Sequence, residues 1–329
     1  MISFLNNAIR IGMIFLLGCT GEIITEKSGH LNLGIPGVMF VGTSVGCVTA
    51  SWLVNAFGGA SAMNGFQVFL VVLLPLLMTL VGGALMGLLF SFFTVTLRAN
   101  QNVTGLVMNI LGEGLCYFLL DTVSRKTYSY SQASRFFTAT LPIADKMKEW
   151  GEPFASIGQL FFSYGFLVYL AIAIAIVASV VLSRTRVGLH LRAVGENPAT
   201  ADAAGINVTA YRYGATCVGC AIAALGGFFA VMDYLCGSWS YSIAEFGWLS
   251  IALVIFTVWR PWLSIIGSIL FGALYTLSSK LNVSITIQPL FEMIPYVVTI
   301  IVLVFTSVRN RRENQPPASL GLSYFREER

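Results

Sequence analysis

The sequence predicts an all-α protein, a polytopic bundle of about nine transmembrane helices. Only 10% of its 329 residues are charged and 56% are hydrophobic, with a mean hydropathy of +0.79, whereas soluble domains carry about 25% charged residues. Apolar runs long enough for a helix to cross hydrocarbon, about 18 residues or more, recur along the whole chain. A β-barrel would show alternating segments of about ten residues, which this sequence lacks.

The apolar runs place spans at 8–25, 36–56, 66–97, 102–123, 159–183, 211–235, 243–259, 262–281 and 288–308. Around Arg10 and Leu16-Leu17-Gly18-Cys19 the first run loosely imitates a lipoprotein signal. Leu17 fits that motif poorly and many spans follow, so the run is assigned as the first span. Pro75 falls inside the third span and predicts a kink. Gly83 with Gly87, and Ser264, Ser268 and Gly272, have the spacing of small residues that bring helices close together. The acids Glu22, Asp121, Asp233, Glu245 and Glu292 fall near span ends, where solvated or paired carboxylates are expected.

Three polar stretches interrupt or follow the spans, at 124–158, 184–210 and 309–329, so residues 1–308 form a membrane domain and 309–329 a tail. Lys and Arg in short loops mark the cytoplasmic side. Arg184, Arg186, Arg192 and Arg212 flank the second stretch, and Arg309, Arg311 and Arg312 open the tail, four spans later. Both regions are therefore assigned to the cytoplasm, together with Arg98 and Arg260, and 124–158 to the outside. The N-terminus then lies outside if the first span ends at Ser28–Gly37, "SGHLNLGIPG".

That decapeptide, with three glycines, a proline and an asparagine, is poor helix material. Either it is a tight cytoplasmic turn, or it is unwound backbone beside a translocation path, where free N–H and C=O groups and Asn32 meet a solute. In the fourth span Asn102, Gly105, Asn109, Glu113 and Cys116 recur at steps of three or four. This polar stripe is expected to face a pathway, because buried amides and carboxylates are expensive in lipid; close helix packing is the alternative. In 197–205, Asn197 is a favoured N-cap, Pro198 a favoured first residue and Gly205 a favoured stop. A two-turn helix is unstable alone, so it packs on its own bundle or docks into a partner's groove.

Catalytic signals are missing. The sequence has no G-x-x-x-x-G-K-[ST] or H-E-x-x-H, and His30 and His190 read as separate loop residues. Six cysteines lie mostly in apolar spans, and Cys217-x-x-Cys220 lacks a second pair, so neither a disulfide framework nor a metal site is expected. No basic run suits nucleic acid.

"EKSGHLNLGIPG", "ANQNVTGLVMNILG", "LRAVGENPATADAAGINV" and "FGWLSIALVIFTVWRPW" resemble, in order and spacing, the ABC importer permeases of the nucleoside and simple-sugar branch, which are related to ribose and branched-chain amino acid permeases. The resemblance covers roughly residues 8 to 308. It implies a non-enzymatic, multi-pass permease of the bacterial cell membrane that passes a nucleoside or simple sugar. It also implies a second related permease, a separate nucleotide-binding subunit that holds ATP and Mg, and an extracytoplasmic binding lipoprotein that meets the 124–158 loop. This chain itself would hold no cofactor, and membrane lipid would surround it. By the resemblance Gly195, Glu196, Asn197, Pro198, Ala199, Asp202 and Gly205 form the coupling helix region. Asn32, Gly34 and Gly37, with Asn102, Gly105, Asn109 and Glu113, border the path. The sequence departs from many relatives at His30, Pro36, Gln101 and Glu245-Phe246, all near the presumed path. The rival reading is a stand-alone proton- or ion-coupled transporter with Glu113 or Asp233 as a relay.

Overall fold

The computed structural model describes residues 2–124, 130–140, 154–239, 242–280, 287, 290–291, 293–309 and 315–325. The helices are α1 (Ile2–Glu26), α2 (Ile35–Ala56), α3 (Gly65–Ser91), α4 (Gln101–Ser124), α5 (Tyr130–Thr138), α6 (Phe154–Phe162) and α7 (Phe166–Arg184). They continue with α8 (Arg186–Glu196), α9 (Pro198–Ala203), α10 (Val208–Phe229), α11 (Ile243–Phe256), α12 (Pro261–Lys280) and α13 (Ile294–Arg309). One π-helical turn, Phe92–Thr96, extends α3, and another, Ala230–Tyr234, extends α10. An all-helical bundle is the outcome expected for a chain in hydrocarbon, since a helix pairs its own backbone groups.

Six helical stretches are long and apolar enough to cross a membrane, and three shorter apolar ones run over Ile243–Phe256, Pro261–Leu277 and Ile294–Phe305. Each of the nine apolar runs contains a helix, but the bounds differ from the sequence reading. The 159–183 run is two helices, α6 and α7, broken at Ser163–Gly165. A side chain on Gly165 would collide with the carbonyl of Phe137, so the break is where α5 lodges.

α1 is the hub, packing on α10, α12, α11 and α7, while α2 joins α10 to α3 and α4. Small residues permit these approaches, as their spacing predicts. A Cβ on Gly12 would lie 2.7 Å from the Ser268 carbonyl oxygen, one on Gly83 2.6 Å from that of Cys220, and one on Gly87 2.8 Å from that of Thr216. The outward faces carry Leu85, Val103, Ile110, Phe118, Ile300 and Phe305, all exposed, as lipid- or partner-facing surfaces require. The described cysteines are free.

Different residues gather at the two ends of the bundle. At one end Lys27, Arg98, Gly195, Trp259 and the tail segment 315–325 gather; at the other, Asn6, Arg10, Tyr164 and Asp233 do. Of the acids expected to be solvated or paired, Asp233 is paired, and Glu22 departs by lying inside the bundle. Asp233 is fully buried, its Oδ1 accepting from Arg10 Nε at 2.9 Å. Glu22 lies wholly inside the bundle. Glu292 and the side chain of Asp121 lie outside the described residues.

The glycine contacts define a stability test. Gly12→Val should destabilise the fold by more than about 2 kcal/mol, the scale of core overpacking, whereas Gly114→Val, which meets nothing within 4 Å, should melt like the parent. Equal melting of the two variants in detergent would refute the packing at Gly12.

Candidate coupling and translocation site

Helix α9 follows the local grammar of its sequence. Asn197 Oδ1 accepts from Thr200 N at 3.0 Å with Pro198 in the first turn. The helix closes through Gly205 N to Asp202 O (2.9 Å) and Ile206 N to Ala201 O (3.0 Å), with Gly205 at φ +83°. That paired arrangement needs a left-handed residue, which glycine adopts at no steric cost. Ala201 packs on Val194 and Val208 beneath Ile206 and Tyr324, which holds this short helix down. Glu196, Asn197, Ala199, Thr200, Ala203 and Gly205 remain exposed, a small-residue surface facing away from the bundle.

Gly195, just before this helix, touches the connection between α1 and α2. A side chain there would collide with the Lys27 carbonyl and stand 3.3 Å from Gly29 N. The contact is therefore backbone on backbone. The tail clamps it: Ser319 N donates to Gly195 O at 3.0 Å and Gly321 N donates to Gly29 O at 3.1 Å. Tyr324 OH donates to Asp202 Oδ2 at 2.9 Å.

The connection itself, Lys27–Gly34, is non-helical, and Ser28, Gly29, His30, Asn32 and Gly34 are all buried. It separates two complete spanning helices, as a turn would, yet it is sealed in protein rather than solvated. Buried backbone groups need partners, and here side chains of α4, of α1 and of the segment itself supply them. Leu31 N donates to Gln101 Oε1 (2.8 Å), Asn32 N to Glu22 Oε1 (3.1 Å) and Gly34 N to Asn32 Oδ1 (2.9 Å). Because Glu22 lies one turn above Glu26, the segment climbs back alongside the end of α1. Asn32 Nδ2 also points at Cys220 Sγ, 3.4 Å away. Glu26, likewise buried, accepts from the indole of Trp259. Val258 and Trp259 hold φ of +53° and +54°, strained for a β-branched residue, and this turn delivers the indole.

His30 is fully buried, and its Nδ1 lies 3.0 Å from Thr216 Oγ1. The Thr216 hydroxyl already donates to Arg212 O, so His30 Nδ1 carries the proton and donates. Burial, and then the neighbouring Arg212 charge, push its pKa down to about 3. The ring stays neutral.

Beyond Gly34 the segment meets α4. A Cβ on Gly34 would lie 3.0 Å from Gly105 O, and one on Gly105 2.8 Å from Leu33 N; Gly37 abuts Met108 and Asn109, and Gly112 abuts Gly37. Of the residues singled out from sequence, Asn32, Gly34, Gly37, Gly105 and Asn109 are thus brought together. The three glycines are packed rather than open. The buried stripe of α4 is Gln101, Thr104, Gly105, Met108, Gly112 and Cys116; Asn109 and Glu113 flank it half-exposed, and Asn102 is exposed at the helix start. Glu113 accepts from Tyr117 OH at 3.0 Å. Sequence reasoning missed Glu26, Trp259 and the tail, and it named Glu22 and Gln101 without their partners. The one available signal was the i, i+4 spacing of Glu22 and Glu26 near the end of an apolar helix. Of the 124–158 stretch, 125–129 and 141–153 lie outside the described residues, and α5 packs against the π turn of α10.

Comparison with known proteins gives one family: the pattern described as "branched-chain amino acid transport system / permease component" matches residues 4–303. The chain is 33% identical over 297 residues to the nucleoside ABC transporter permease protein NupC of Lactococcus lactis subsp. cremoris (strain MG1363), covering 86% of this chain and 85% of the relative. It is 26% identical to the guanosine ABC transporter permease protein NupQ of Bacillus subtilis (strain 168), covering 95% and 93%. It is 28% identical to the putative glucose ABC transporter permease protein TsgC13 of Haloferax volcanii, covering 98% and 97%. No solved structure matches the chain.

The neutral His30 has a pH consequence. Its folded pKa, about 3, lies below the ordinary 6.5, so the unfolded chain binds the extra proton. Stability is fully present above about pH 6.5 and falls as pH drops from there towards 3, by at most about 1.4 kcal/mol per pH unit. Melting curves between pH 7 and 5 should show this slope, and His30→Asn, which keeps a donor for Thr216, should flatten it. An unchanged slope in that variant would refute the assignment.

Proposed function

The chain belongs to the branched-chain amino acid transport system permease family, and from that premise we propose that it carries a nucleoside across the membrane when α9 moves the buried Lys27–Gly34 segment. As an ABC permease it is a multi-pass cell-membrane transport subunit and not an enzyme, and it works with an ATPase and a binding protein. The finer assembly belongs to the proposal. A nucleotide-binding subunit that holds ATP and Mg docks on Gly195, Glu196, Asn197, Pro198, Ala199, Asp202 and Gly205. A second, homologous permease completes the path, and an extracytoplasmic lipoprotein delivers the solute to the outer loop.

The observation that carries this reading is the backbone contact of Gly195 with Lys27 and Gly29. A push on α9 reaches the unwound segment with no side chain to absorb it. The segment is bonded to α4 through Gln101 and seated on its glycines, so the displacement reaches the helix whose Asn102, Asn109 and Glu113 border the path. Asn32, Gly34, Gly37 and Gly105 form the hinge side of that border. Nucleosides are the substrate class favoured, because relatives at 33% and 26% identity are named for a nucleoside and for guanosine; the glucose relative makes simple sugars the competing outcome. A stand-alone proton-coupled carrier gives way to the family assignment, and Asp233, its proposed relay, is engaged by Arg10.

In proteoliposomes holding the complete complex, ATP-dependent uptake of labelled guanosine should be competed by other nucleosides and not by glucose. Removing residues 197–205 should cut uptake at least tenfold while the chain still elutes as a folded species. Uptake that survives this deletion, or uptake by the chain alone driven by a proton gradient, would overturn the proposal.

A further inference from the structure

A pocket of about 350 Å³ opens beside α9, between the π turn after α3 and the start of α10, and its wall includes Thr94, Arg98, Asp202, Thr209, Arg212 and Tyr324. Its size falls at the lower end of small-molecule sites, roughly 300–1,000 Å³. Arg212 is only 2% exposed, and its Nε and Nη2 have no hydrogen-bond partner among the described residues. An unpaired buried guanidinium is unfavourable enough that proteins pair it or bind an anion to it. Its position is built: Gly29, at φ +87°, leaves the space in which Nη2 lies, 3.3 Å from where a Cβ would stand.

The other groups on the wall point the same way. Arg98 is exposed, sits at φ +58° and lays its guanidinium 4.8 Å from the centre of the Phe325 ring. Asn207 caps α10 by accepting from Ala210 N, which leaves the N–H groups of Val208 and Thr209 without an intrahelical acceptor. A helix start beside two arginines is a setting for an oxyanion. The acid in the wall, Asp202, is held by Tyr324 OH. The Arg98 fork, the Arg212 guanidinium, two amides and the Thr209 hydroxyl exceed what two carboxylate oxygens accept, and they suit a phosphate; the Thr94 hydroxyl is spent on the Phe90 carbonyl.

We infer that this pocket binds a phosphate group, carried by a small phosphate ester or by a phospholipid head, with Arg212 and Arg98 as its principal ligands. The bound anion neutralises Arg212 beneath Gly29 and Ser319, and so ties the tail, α9 and the unwound segment into one unit. The site goes beyond the transport reading and does not depend on which solute is carried.

The test is thermal unfolding of the complete transporter in a phosphate-free maltoside detergent, titrated with inorganic phosphate against chloride at equal ionic strength. A parallel titration uses micelles doped with phosphatidylglycerol. The parent should show a saturable upward shift with phosphate, and Arg98→Gln and Arg212→Gln should each weaken the apparent affinity at least tenfold. A shift seen only with phosphatidylglycerol, and lost in both variants, supports the site and assigns the phosphate to lipid. If the parent and Arg98→Gln respond alike to both additives, the inference is wrong; Arg98 is exposed, so that variant decides the matter even if Arg212→Gln fails to fold.

Discussion

The contact between Gly195 and the backbone of Lys27 and Gly29 is the constraint on which the rest of the molecule depends. Two chain segments approach so closely there that even a methyl group is excluded. Everything around the contact serves to hold it. Ser319 and Gly321 bond one segment to the other, Tyr324 anchors the tail to Asp202, and Ala201 pins α9 through a small apolar cluster. A contact made of backbone has little rotamer freedom, so displacement on one side is passed to the other instead of being taken up by a side chain. In the coupling proposed above, this contact is the rigid relay between α9 and the buried segment.

Sealing unwound backbone inside a helical bundle requires acceptors and donors that helices do not offer, and this explains the polar residues of the core. Glu22 receives Asn32 N, Gln101 receives Leu31 N, and the Asn32 amide receives Gly34 N. Glu26 takes the indole of Trp259, which fixes the α11–α12 turn to the same end of α1. Thr216 receives the proton of His30. These groups stabilise the segment where it stands.

Local physics was legible in the sequence, and long-range pairing was not. The cap, the proline and the terminal glycine of α9 act within a few residues of one another, and each does what its spacing predicts. Apolar runs located the spans. The interruption at Ser163–Gly165 was written only in short-range residues, and a run of hydrophobic neighbours on both sides hid it. The burial of Glu22 and Glu26 depends on Asn32 and on Trp259, 233 residues from Glu26, and no periodicity reports such a partner. The tail looked like a free polar extension because its bonds to Gly195, Gly29 and Gln101 join points far apart in the chain. The glycines of the 28–37 segment and of α4 pack closely on one another, a long-range seam that their spacing alone did not reveal.

The relay can be examined by changing one atom group at its centre. In the assembled transporter, Gly195→Ala adds a methyl where Lys27 lies, while Gly214→Ala, which meets nothing within 4 Å, serves as control. Solute taken up per ATP hydrolysed is the quantity to measure in proteoliposomes. The account predicts that Gly195→Ala lowers this ratio at least tenfold with hydrolysis retained, and that the control matches the parent. An unchanged ratio in Gly195→Ala, with the protein folded and assembled, would contradict it.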